Sequence, residues 1–104
     1  MSKAIKIKDN EFMIPVKISA QKGLSGTDSI ILGMIFTTIY KKQLFLLSNK
    51  TIAQYVGRTK SAVSKSLSKL KRLGHIKEIE YDSPIYSKAR RIQMSNELYR
   101  ECLK

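Results

Sequence analysis

The spacing of apolar residues changes its period twice along this chain of 104 residues. From 26 to 42, Ile30, Ile31, Met34, Ile35, Phe36 and Ile39 leave little polar face, which predicts a helix buried on most sides. Ser25 and Asp28 stand before it at capping-box spacing, with Asp in place of the usual Glu. Further on, Val63, Leu67 and Leu70 recur at i, i+4 and i+7 and Leu73 completes the stripe, which predicts a one-sided helix ending near Leu73. After Gly74 the period falls towards two. "HIKEIEY" sets Ile76, Ile79 and Tyr81 among Lys77, Glu78 and Glu80, one step out of phase, and reads as a strand. "DSP" (82–84) turns the chain, and "YSKARRIQMS" returns as a second strand with Ile92 and Met94 on one face, which makes a hairpin.

Punctuating residues divide the rest. Pro15 disfavours helix at Ile14, so "FMIPVKI" (12–18) is expected to be extended. "QLFLL" (43–47) reads as a brief strand. Ser48 or Asn49 caps a second helix, "KTIAQYV", which Gly57 ends in the left-handed region. Thr59 or Ser61 caps the helix that carries the apolar stripe, and Ser95 caps a last short one, "NELYRECL". The expected organisation is a flexible basic arm at 1–11, one folded domain at 12–94, and a short helix at 95–104 that is a candidate dimer contact.

Charge narrows the function. Lys and Arg number 20 against 8 Asp and Glu, a net charge of +12, which attracts polyanions. One cysteine, Cys102, cannot close a disulfide within the chain, and one histidine, His75, cannot supply the usual zinc or His-based catalytic sets. An enzyme is therefore not expected, and neither is a cofactor or a metal. The longest apolar stretch, "IILGMIFTTIY", falls short of the roughly 20 residues that span a bilayer. No membrane contact is expected, and a cytoplasmic, nucleoid-associated location is.

The order helix, short strand, helix, turn, helix, hairpin is that of a winged helix-turn-helix: mainly α, a three-helix core plus a β wing. In that arrangement the helix after the turn enters the major groove with its N-terminal residues at base edges. Those residues are Lys60, Ser61, Ala62, Ser64 and Lys65. Thr59 and the helix N-terminus offer N–H groups to a phosphate. Lys69 and Arg72 lie two turns or more on, facing backbone or solvent, and Asn49, Lys50 and Arg58 are candidates for backbone contacts around the turn. In the wing, Lys88, Arg90 and Arg91 are candidates for a minor groove or flanking phosphates. A plain solvated face would also carry lysines, but serine is a mediocre helix former. Three serines on one face, at 61, 64 and 68, favour close approach to a partner. His75 is read as structural or phosphate-facing.

"SNKTIAQYVGRTKSAVSKSLSKLKRLGHI" resembles the winged helix of small bacterial regulators and of phage and plasmid replication initiators, in its Ser/Asn cap, Ala53, Gly57, Ser61, Val63, Ser64, Leu70, Gly74 and Ile76. "FMIPVKI", "LSGTDSIILGMI" and "ARRIQMS" are similar to further segments of the initiator group, so the resemblance covers about 12–94. The chain lacks the Ala-Lys common in the first helix of that group. The resemblance implies binding to double-stranded DNA, as a homodimer, by a small transcriptional regulator of plasmid or phage origin. The alternative is a replication or partition factor that binds origin or centromere repeats and recruits a further protein partner.

Overall fold

The computed structural model describes residues 4–6, 12–81 and 89–104, with side chains from 12 to 80 and from 90 to 104. At its centre is α2 (Gly26–Tyr40), whose residues 31–37 are all buried. Its N-terminus is the expected capping box: Ser25 Oγ accepts the Asp28 N–H at 3.1 Å, and Asp28 Oδ2 accepts the Ser25 N–H at 2.9 Å. An element lies against α2 closely enough to need glycine: a Cβ on Gly33 would stand 2.9 Å from Ile14 Cγ1 and 3.2 Å from the Met13 carbonyl oxygen. That element is β2 (Met13–Pro15), pinned where Met13 N–H donates to Thr37 Oγ1 at 2.6 Å. Within the segment expected as an arm, β1 (Ala4–Lys6) pairs antiparallel with β2.

The extended reading of 12–18 holds only to Pro15. A single helical turn follows, α1 (Val16–Ser19), and seats Ile18 in the core. Proline restricts the residue before it and leaves those after it free to turn, and its fixed φ suits a helix start. The brief strand expected at 43–47 reduces to one bridge, Phe45 to Ile92. Next come α3 (Asn49–Val56), capped by Ser48 and ended by Gly57 at φ +68°, and α4 (Lys60–Arg72), capped by Thr59. Gly74, at φ +80°, releases the chain into β3 (Ile76–Tyr81), which pairs antiparallel with β4 (Ala89–Met94). The turn expected at 82–84 and Lys88 fall outside the described residues.

Ile76, Ile92 and Met94 face the core, and Ile79, 40 % exposed, faces out. This is the phase slip in the sequence: 76 and 79 differ by an odd number, so a pleated strand cannot bury both. α5 (Asn96–Cys102) closes the domain by burying Leu98 and Cys102. In the helix expected as a dimer contact, Leu98 and Cys102 thus belong to the chain's own core, while Leu103, 50 % exposed, faces away. Burial first, then the Glu101 charge, pushes the Cys102 thiol up to about 11, against the opposing Lys17, so it is packed as a small hydrophobe. The fold is a winged helix.

Candidate nucleic-acid interface

Every side of α4 is accounted for. Val63, Leu67 and Leu70 are buried against α2 and α3, where Ala53 permits close approach. Leu73, expected to complete this stripe, is 44 % exposed, because the helix ends at Arg72 and the chain turns away at Gly74. Opposite the stripe, Ser61, Lys65, Ser68 and Arg72 follow one another at i, i+4, i+7 and i+11 and form one exposed row. Beside it, towards the hairpin, lie exposed Lys60 and Ser64. Among the described residues, none of these six side chains has a hydrogen-bond or ion-pair partner. Ser68, expected with Ser61 and Ser64 on one face, and Arg72, expected to face backbone or solvent, extend the row by two turns beyond Lys65.

The helix start is similarly divided. The Thr59 hydroxyl accepts the Ala62 N–H at 3.0 Å, and the Val63 N–H goes to the Thr59 carbonyl. The N–H groups of Lys60 and Ser61 are left as the free donors of the first turn. Ala62 is half-buried on the flank facing α2.

Four of the expected contact residues have hydrogen-bond partners within the molecule. Lys69 is half-buried, and its Nζ donates to Asp28 Oδ2 at 2.7 Å and to the Gly23 carbonyl at 2.9 Å. Arg90 points inward with Ile92 and Met94. Its guanidinium donates to Asn49 Oδ1 at 2.6 Å and to the Leu47 carbonyl, and pairs with Glu78 Oε2 at 3.3 Å. Asn49 is thereby occupied as well. Arg58 Nε donates to Thr27 Oγ1 at 3.2 Å, across to the start of α2. For the three cations the acceptor comes from an element distant in sequence, which local patterning cannot foresee. Lys50 is exposed without a side-chain partner among the described residues. So is Lys71's neighbour Arg72, whereas Lys71 itself pairs with Glu78 at 3.0 Å. Burial pushes the Glu78 carboxyl up, but Lys71 and Arg90 outweigh it and hold it below its ordinary value.

Arg91 sits on the other face of β4 from Arg90, since successive strand residues alternate. It lines an open groove of about 460 Å³ with Lys77, Gln93 and Gln43, and has no ion-pair partner among the described residues. His75 is half-buried; its carbonyl accepts the Ser95 N–H at 2.7 Å, and burial holds its imidazole below the ordinary value. Its backbone carbonyl ties the end of α4 to the start of α5. Among the described residues no group of three or more His, Cys, Asp and Glu is placed to hold a metal ion, and no helix is long and apolar enough to cross a membrane.

No protein-family model and no curated protein matches the chain. Among solved structures it is similar to the crystal structure of the adhesin competence repressor from Streptococcus pyogenes, with a TM-score of 0.50 and 16 % identity. The likeness covers 85 % of this chain and 60 % of that one, so the chain spans about three fifths of the length of the structure it matches. At that identity the likeness is one of fold.

Proposed function

We propose that this chain binds double-stranded DNA, with α4 in the major groove, as a small transcriptional regulator. The observation that carries the reading is the exposed row on α4. Ser61, Lys65, Ser68 and Arg72, with Lys60 and Ser64 beside them, present hydroxyl and cationic donors on one side of a helix, with no acceptor among the described residues consuming them. The major groove admits one α-helix, and guanine O6 and N7 accept from such cations. A net charge of +12 supplies the attraction to phosphate. The free N–H groups of Lys60 and Ser61 serve a phosphate at the helix start. Lys50 and Arg91 serve flanking phosphates, as Lys88 would from the wing. A repressor among solved structures of similar fold supports the regulatory reading. Binding as a homodimer and a plasmid or phage origin belong to the same proposal, on the resemblance of residues 12–94.

The test is a selection of bound duplexes from a random library at two salt concentrations. A recovered motif, above all an inverted repeat, is the expected result. Sequence-blind binding that collapses with salt would sink the base-reading assignment and leave the charge as an anchor only.

A further inference from the structure

Asp28 does more than cap a helix. It is 2 % exposed, and both of its oxygens are engaged. Oδ1 accepts the Ser66 hydroxyl at 2.6 Å, while Oδ2 accepts Lys69 Nζ at 2.7 Å and the Ser25 N–H at 2.9 Å. Two of these three donors come from α4, on its flank between the apolar stripe and the exposed row. Lys69 also donates to the Gly23 carbonyl, so the turn before α2 is held by the same ammonium. The support behind Asp28 is firm: α2 is fixed in the core by the close approach of Ile14 to Gly33 and by the Met13–Thr37 hydrogen bonds.

The rest of the α4 seat is apolar. Contacts of Val63, Leu67 and Leu70 resist separation but are non-directional. They oppose rolling of the helix about its own axis weakly, whereas short charge-assisted hydrogen bonds oppose it strongly. Side chains reach about 5–6 Å from a helix axis, so a roll of about 20° carries an outward group some 2 Å sideways. That is enough to take a donor out of hydrogen-bond range of a base edge.

We propose that Asp28 is a positioning residue: through Ser66 and Lys69 it fixes the rotational setting of α4, and so decides which side chains of the exposed row meet the bases. Its consequence for DNA rests on the DNA-binding reading above; the setting of the helix does not. Asp28 is buried beneath α4, away from the exposed row, so its loss should separate selectivity from attraction.

The experiment uses the full chain as wild type, Asp28→Asn and Ser66→Ala. The second variant removes one hydrogen bond and buries no unpaired charge, so it remains informative if Asp28→Asn does not fold. Amide residual dipolar couplings report the orientation of α4 relative to α2. Binding is titrated against the duplex selected by the wild type and against a random-sequence duplex. In the variants the couplings of α4 are expected to shift while those of α2 and β2 stay. Affinity for the selected duplex is expected to fall at least tenfold in Asp28→Asn, with random-duplex affinity within twofold of wild type. Unchanged α4 couplings in a folded variant, or equal losses on both duplexes, would overturn the proposal. If the wild type selects no sequence, the DNA reading fails, and the couplings alone still decide whether Asp28 sets the helix.

Discussion

Two flanks of one helix carry the same residue types and meet opposite fates. On the flank of α4 facing α2, Ser66 and Lys69 are bound to a buried carboxylate. On the outward row, Ser61 and Lys65 are free of internal partners among the described residues. Serine and lysine three or four residues apart occur in both places. The inner flank is buried against a distant element that supplies an acceptor, the outer row is exposed, and the hairpin is divided in the same way. Arg90 is held by Asn49, Leu47 and Glu78, while its neighbour Arg91 faces the other way. A basic side chain stays unpaired only where the fold brings no acceptor within reach.

The largest effect is expected on the inner flank of α4. Lys69→Met strands a buried carboxylate, and should cost about 3 kcal/mol of unfolding free energy, near the low end for breaking a buried pair because Ser25 and Ser66 still donate. Chemical denaturation measures this. The salt slope of DNA binding should stay as in wild type, and a slope reduced by about one would return Lys69 to the phosphate contacts.

Arg90→Ala should destabilise by about 2 kcal/mol, since Asn49, the Leu47 carbonyl and Glu78 each lose a charged donor. Lys65→Ala should leave stability within about 0.5 kcal/mol, as an exposed substitution does. It should weaken binding to a preferred duplex by about 1–3 kcal/mol if it reads a base; equal loss on every duplex would make it a phosphate contact. Arg91→Ala should leave the melting temperature alone and reduce the salt slope by about one. An unchanged slope would remove the outer face of the hairpin from the interface.

The smallest effect is one of pH. Burial pushes the Asp28 carboxyl up, but hydrogen bonds from Lys69, Ser66 and Ser25 outweigh it and hold the group below its ordinary 3.8. A folded-state value below the unfolded one means stability fully present above pH 3.8 and lost as pH falls below it. Asp28→Asn should flatten that acid limb of a stability curve, and a limb of wild-type steepness would show that the carboxylate is not linked to folding. His75, held low by burial, works at milder acidity, its contribution being present above pH 6.5 and lost as pH falls below it.

Much of the fold was legible from residue order alone. The α2 capping box, the glycine that ends α3, the cap of α4 and the burial of Val63, Leu67 and Leu70 follow from spacing, because helical and strand periods are local properties of the chain. Less legible was anything that depended on what lies across a gap. The single turn of α1 after Pro15 forms to seat Ile18 in the core. Gly33 is required by a strand that comes 19 residues earlier in the chain, at Ile14.

Residue order thus specified the longer helices, the hairpin strands, the burial of Val63, Leu67 and Leu70 and the sign of the charge, because each depends on neighbours within a turn or two. Only the tertiary structure decided which cations are spent. Electrostatic and hydrogen-bond partners act over a few ångströms in space, whatever their separation along the chain, and Asp28 and Lys69 stand 41 residues apart. The same fact divides Arg90 from Arg91, and leaves Ser61, Lys65, Ser68 and Arg72 as the row that faces outward.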